Sequence, residues 1–415
     1  MNRLIIITVI LAVALLPSAI FSQDDFLRVT APGKSSLRTA IFLPVPVSGE
    51  TDDKVAAEIA DIFKLDLEMT GLFSLVQLPA GGTAADADML LKTGYKLSAD
   101  SITLEYRFYE VATGREILAK RYTAARKDLR KTAHTFVDEV LFVLTGERGP
   151  FTGKLAYVSS SSGNKEIYLM DWDGFNVRKL TANRSINLNP DFSPSGKEII
   201  FTSYKQGNPD LYRRELFTGK EARISSSSGI NITGAFSPEG NRIALALSKD
   251  GNSEIYLISK EGKQLARLTK HTAIDLSPSW SPDGRFIAFV SDRLGKPQLF
   301  VMHVDGSDQK RIIPGGGYTV GPRWSPKGDK IAYCRQYGAR FQIHLVNPDG
   351  SDDRQLTFEG SNEHPRWSPD GRFIVFSSKR GGGEFIYAMR ADGSGQTKIS
   401  RGSGKDSHPA WSSRW

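Results

Sequence analysis

A five-residue phrase, aromatic-Ser-Pro-x-Gly, recurs through the C-terminal two thirds of this 415-residue chain and limits its fold more than any other feature. It reads Phe192-Ser193-Pro194-Ser195-Gly196, Phe236-Ser237-Pro238-Glu239-Gly240, Trp280-Ser281-Pro282-Asp283-Gly284, Trp324-Ser325-Pro326-Lys327-Gly328 and Trp367-Ser368-Pro369-Asp370-Gly371, with a truncated Trp411-Ser412-Ser413 at the end. The aromatic residues step by 44, 44, 44, 43 and 44 positions. A period of about 40–45 residues marks one supersecondary unit repeated in an array.

Proline pre-sets φ at the second turn position and glycine takes the left-handed conformation that closes a bulged hairpin, so each phrase ends one strand and opens the next. A β-rich second strand follows each phrase, then a third such as Glu254-Ile255-Tyr256-Leu257, then a turn such as Asp305-Gly306 and a fourth strand. Four short strands per period make one propeller blade. Units of second to fourth strand begin at Lys154, Lys197, Arg242, Arg285, Lys330 and Arg372, but the first has no phrase ahead of it. An orphan first strand, Pro409-Ala410-Trp411, stands at the other terminus. The economical account is a mainly β chain: a six-bladed β-propeller over 151–415 in which the C-terminal strand completes the unfinished blade and removes open edges.

Ahead of the propeller the grammar changes. Arg3 precedes an apolar run over 4–16 and a small-residue stretch to Ser22, the layout of a cleaved secretory signal peptide over 1–22. The run is too short to span a bilayer comfortably; an uncleaved anchor is the alternative. No cysteine follows it, which argues against lipid attachment there. Residues 23–36 are polar and are expected to be mobile. Helical periodicity over 53–69 places Val55, Ile59, Ile62 and Phe63 on one face, with Thr51 or Asp52 as cap and Gly71 as stop. Strands are expected over 38–45, 72–77, 90–97, 102–111 and 116–123, and a second helix over 127–144. Together 23–150 reads as a small α+β domain preceding the propeller. The single cysteine, Cys334, falls in a blade strand as an apolar filler.

Charge is divided between the two parts. Residues 23–150 carry 16 Lys and Arg against 19 Asp and Glu, a net −3, whereas 151–415 carry 37 against 27, a net +10. A basic propeller favours an acidic partner or an anionic surface; no nucleic-acid partner is expected of an exported chain without a basic, aromatic patch on one element.

Catalytic constellations are not found. There is no Gly-x-Ser-x-Gly elbow and no His-Glu-x-x-His, and the six histidines (134, 271, 303, 344, 364, 408) never stand at metal-ligand spacing. Asp171-Trp172-Asp173-Gly174 begins like a calcium loop but lacks the ligands that should follow, and reads as a hairpin turn. No cofactor and no metal are expected. Function must then lie on surfaces. The loops joining fourth to first strands and second to third strands share one face of a propeller, around the channel mouth.

The order of parts carries a resemblance. A signal peptide, an α+β domain ending in His134-Thr135-Phe136-Val137-Asp138-Glu139 and Leu144-Thr145-Gly146, repeats bearing Ser-Pro-Asp-Gly, and a terminus reading His408-Pro409-Ala410-Trp411-Ser412 together resemble the TolB family of periplasmic Tol-Pal components, over the whole mature chain. The resemblance implies a non-enzymatic docking protein, a monomer on its own. It would join Pal, the peptidoglycan-associated lipoprotein, to inner-membrane Tol proteins such as TolA, supporting outer-membrane invagination at division and envelope integrity. Through Pal it would associate peripherally with the outer membrane. Carried onto this chain, the Pal-facing positions are Asp275, Ser277, Arg293, Thr319, Glu363, His364, Ser407 and His408, all expected in loops of one face. The TolA-facing positions are Asp24, Asp25, Phe26, Leu27, Arg28 and Val29. The alternative is an exported propeller hydrolase or lyase with an unrecognised channel site.

Overall fold

The structure, a computed structural model, describes residues 36–48, 51–76, 86–315 and 317–414. The expected signal segment, residues 23–35 of the stretch 23–36 expected to be mobile, and the positions Asp24 to Val29 lie outside these residues.

The N-terminal part is a sheet with two helices packed on it. Its elements are β1 (Leu37–Ile41), β2 (Val45–Pro46), α1 (Asp53–Thr70), β3 (Phe73–Val76), β4 (Met89–Leu97), β5 (Ser101–Glu110), β6 (Glu116–Ala125) and α2 (Leu129–Thr145). Sheet order is β3-β1-β4-β5-β6, with β1 parallel to both neighbours and β2 beside β4. Helix α1 starts where the Asp52 carboxylate accepts from the amides of Lys54 and Val55, and stops where Gly71 turns left-handed at φ +71°. Its apolar stripe, Ile59, Ile62, Phe63 and Leu67, packs with Phe136, Val137 and Val140 of α2 against Leu104 and Tyr106 of the sheet.

From Gly153 onward six four-stranded antiparallel sheets follow one another. In five the strands are consecutive. In the sixth the C-terminal strand Asp406–Arg414 pairs with Gly153–Ser159, placing Trp411 opposite Leu155, and the sheet continues through Glu166–Asp171 to Arg178–Lys179. The ring is therefore closed by chain end against chain start, which leaves no open edge on that sheet's inner strand.

The repeated phrase has a physical explanation in each blade. In four of the five complete phrases the serine hydroxyl accepts from the amide that opens the second strand, as in Phe286 N to Ser281 Oγ at 2.9 Å, while Ser325 accepts from Lys327 N at 3.1 Å; the glycine sits at φ +68° to +81°. In two phrases the indole reaches the neighbouring blade: Trp280 Nε1 donates to the Ala235 carbonyl at 3.1 Å and Trp367 Nε1 to that of Arg323 at 2.9 Å, whereas Trp324 Nε1 donates to the Gly328 carbonyl of its own phrase at 3.1 Å. The phrase thus turns one strand into the next, and at Trp280 and Trp367 it also ties its blade to the preceding one.

One sequence expectation is corrected. Positions 187–189, 231–233, 275–277, 319–320, 362–364 and 406–408, expected in loops, lie in the innermost strands. Each of these strands bulges where one residue turns left-handed: Asn189, Thr233, Ser277, Gly321, His364 and His408, at φ between +50° and +64°. Asn, Ser, Gly and His at such positions read as loop residues because they tolerate φ > 0, and a bulge inside a strand uses the same tolerance.

The N-terminal part and the propeller share one apolar core. Phe151, Trp172, Phe373 and Trp411 belong to the same cluster as the helices' Leu141 and Leu144, and the Trp172 and Trp411 rings lie 6.3 Å apart and nearly parallel. Arg390, from a blade strand, donates to the carbonyls of Met69 at 3.0 Å and Glu68 at 2.6 Å, satisfying the end of α1 with a cation where the helix dipole favours one.

Candidate interaction faces of the propeller

Each inner strand opens on a residue enclosed at the rim, one or two positions ahead of its bulge. Those opening residues, Asn187, Asn231, Asp275, Thr319, Asn362 and Asp406, are all buried. Asp275 is fully enclosed, and Arg293 Nη2 meets its carboxylate oxygens at 3.0 and 3.3 Å. The same guanidinium donates to Ser291 Oγ and Gln309 Oε1 at 2.8 Å each, so Arg293 is fully occupied inside the rim. Arg380 similarly holds Asn362 Oδ1 at 3.0 Å. Thr319 and Ser407 are buried too. Of the sequence-derived positions, Asp275 and Arg293 therefore fasten a strand to a loop, whereas Thr319 Oγ1 is buried without a partner among the described residues and Ser407 Oγ meets its neighbour His408.

The other four surround the mouth. Ser277, Glu363, His364 and His408 are partly exposed. His364 and His408, one blade period apart in sequence, stack with ring centroids 3.6 Å apart. Their Nδ1 atoms pair with Ser377 Oγ and Ser407 Oγ, each at 3.0 Å. Burial pushes the His364 imidazole down to about 4, against the pull of Glu363 and with help from Lys379 and Lys165. Burial likewise holds His408 well below the usual range, reinforced by His364, Lys165, Arg366 and Lys379. Both rings are accordingly neutral at neutral pH, which is what allows them to stack. Glu363 is paired with Lys379 at 3.2 Å.

Apolar side chains, which the sequence reading did not single out, ring the same face. Ile186, Ile274 and Tyr318 immediately precede inner strands, Leu294 sits between a second and a third strand, Tyr337 ends a second strand, and Phe358 lies between a fourth and a first strand. All are exposed, Phe358 at 72%. Apolar groups gathered around one opening are a mark of a docking surface. The available signal was periodic: Ile186, Ile230, Ile274 and Tyr318 recur 44 residues apart just ahead of each buried opening residue.

A second set of functional-looking groups lies at the junction between the two parts. His134 of α2 stands between two carboxylates, Nδ1 2.7 Å from Asp66 and Nε2 3.1 Å from Asp173. Asp173 also pairs with Arg130, whose Nη1 holds Glu58 at 2.9 Å. The expected hairpin turn at 171–174 is present, with Gly174 at φ +85°, but its Asp173 is buried as the hub of this cluster. Burial alone would lower the His134 imidazole; Asp66 and Asp173 outweigh it and raise it to about 10. Asp66, whose Oδ1 is buried without a partner, is pushed up to about 6 by burial against the opposing pull of His134. Asp173 is held well below the carboxylate range because His134 and Arg130 overcome its burial. Among the described residues no group of three or more His, Cys, Asp or Glu side chains is placed to hold a metal ion.

A family model described as the TolB beta propeller domain matches residues 142–415. The chain belongs to this TolB propeller family. It is 55% identical to the Tol-Pal system protein TolB of Geobacter sulfurreducens over 205 residues, 46% of this chain and 48% of that protein. It is 56% identical to the protein of the same name from Geobacter metallireducens over 214 residues, 48% of this chain and 50% of that one. These alignments span about half the length of the curated relatives. The crystal structure of TolB from Acinetobacter baumannii has a TM-score of 0.80 and 26% identity to this chain, covering 91% of it and 97% of the crystallised chain. Likeness to TolB therefore extends through both the α+β part and the propeller.

Proposed function

We propose that this chain is a periplasmic docking protein of the Tol-Pal system, binding Pal on the propeller face ringed by apolar loops and contacting TolA through residues 24–29. The observation that carries the reading is the combination on one face of six exposed apolar side chains with a mouth lined by Ser277, Glu363, His364 and His408. Apolar and aromatic anchors supply most of an interface's affinity, while the polar mouth, whose Glu363 is already paired with Lys379, can form hydrogen bonds without an unpaired charge being buried. Asp275 and Arg293 then act indirectly, holding the rim in shape. On this reading the domains are 23–150 and 151–415 after a signal peptide over 1–22, the chain is a monomer on its own, and Pal links it to the outer membrane. Its role is support of outer-membrane invagination and envelope integrity, with no catalysis.

Capture of the soluble Pal domain by the mature chain tests it. The Tyr318→Asp, Phe358→Asp variant is expected to lose at least tenfold in affinity with an unchanged Tm, because both side chains are exposed. Affinity within twofold of the parent would remove this face from consideration.

A further inference from the structure

At the opposite end of the channel, where the Ser-Pro turns meet, the residue preceding each aromatic faces the axis: Asp191, Ala235, Ser279, Arg323, Arg366 and Ala410. With the prolines of the five complete phrases they line a cavity of about 390 Å³. Two of the six are guanidinium groups and one is a carboxylate, and the guanidinium donors are under-used. The Arg366 side chain is 12% exposed, meets Asp191 only at 4.0 Å, and reaches the Pro190 carbonyl at 3.5 Å. Its Nε is buried with no acceptor among the described residues. Arg323 on the adjacent inner strand gives one N–H to the Pro322 carbonyl at 2.9 Å and is in no ion pair among the described residues. Asp191 accepts from the Phe236 amide at 3.2 Å, which draws it toward the wall.

A guanidinium presents five donors in a rigid fork that matches the oxygens of carboxylate and phosphate, and an enclosed charge without such a partner is costly. Burial pushes the Arg366 guanidinium down and the Asp191 carboxyl up, the sign of two groups that lose hydration without forming a close pair. We propose that this mouth of the channel binds a small oxyanion, phosphate or carboxylate in chemistry, between the guanidinium groups of Arg323 and Arg366. Ser279, whose Oγ accepts from the Trp324 amide at 3.0 Å, keeps its hydroxyl proton to donate to the same ligand. The site is independent of the protein-docking face, since it lies at the other end of the channel.

The full mature chain, in chloride buffer at fixed ionic strength, is titrated with inorganic phosphate by ³¹P line broadening and, in parallel, with acetate by thermal unfolding; whichever saturates distinguishes the two sources. Saturating anion is expected to raise Tm by roughly 2 °C or more. The effect is lost in Arg366→Met and weakened roughly tenfold in Arg323→Gln. In chloride alone Arg366→Met is expected to melt at or above the parent, because an apolar side chain replaces an ill-paired buried charge. No saturable response to either anion up to about 20 mM, or an equal response in both variants, overturns the proposal. Should Arg366→Met fail to fold, the parent titration and Arg323→Gln decide it.

Discussion

The imidazole of His134, on a helix of the N-terminal part, stands 3.1 Å from the carboxylate of Asp173 in a propeller turn, and its other nitrogen is 2.7 Å from Asp66. One doubly paired cation therefore joins two parts of the chain that differ in sequence character. Around it the apolar core runs without a break from the helices into the last blade.

Among the described residues, removing that cation leaves the buried Asp66 carboxylate without a partner and Asp173 ion-paired with Arg130 alone. His134→Gln is expected to cost about 3–5 kcal/mol in urea unfolding followed by circular dichroism. The sign of the pH dependence follows from the raised imidazole. Its contribution is fully present below the unfolded value near 6.5 and is lost as pH rises toward about 10. The parent should lose stability from pH 7 to 10, and the variant should show a flatter alkaline limb. Equal slopes would place the charge elsewhere.

The stacked pair His364 and His408 sets the acid limb. Their folded values are depressed, so the stability they contribute is present above about 6.5 and declines as pH falls toward about 4, where protonation would place like charges face to face. Replacing both by asparagine, which also tolerates φ > 0, should leave Tm at pH 7 nearly unchanged and reduce its fall between pH 7 and 5. If Pal binds this mouth, its affinity should hold level from pH 7 to 5 and fall only as pH approaches about 4, in the parent alone.

Asp275→Asn tests the rim fastening. Asp275 is fully buried and holds Arg293, so the change should lower stability by about 2–4 kcal/mol while leaving Phe358 and Tyr318 in place. Any loss of partner binding should then be recovered at lower temperature, whereas a direct contact would be lost at all temperatures.

Closure of the ring depends on Trp411, which stacks on Trp172 and, through its strand, pairs with residues 153–159. Trp411→Ala should cost about 3–5 kcal/mol. Truncation before Asp406 should expose the strand edge and give aggregates by size-exclusion chromatography.

Blade count, strand order and the identity of the closing strand were legible in the sequence because turn chemistry is local: proline and glycine fix backbone angles wherever they occur. Both helices, a cap at Thr51 or Asp52 and the Gly71 stop were legible for the same reason, and the structure selects Asp52. The candidate site was legible only in part. Topology pointed to one face of the propeller, but Asp275 and Thr319 are buried in inner strands there, since a bulged strand and a loop draw on the same residue types. The exposed apolar rim went unnoticed because single apolar residues on a surface are ordinary until their neighbours are known.

What the chain's sequence determined alone was its periodic content: four strands, a turn and an aromatic residue, repeated until the ends meet. Tertiary structure alone decided which distant groups share one environment. His364 meets His408, His134 meets Asp66 and Asp173, and Arg323 and Arg366 line one cavity only once the ring is closed and the helices are docked. The physical reason is that burial and charge pairing depend on separation in space, and a closed ring brings together residues separated by a whole period or more.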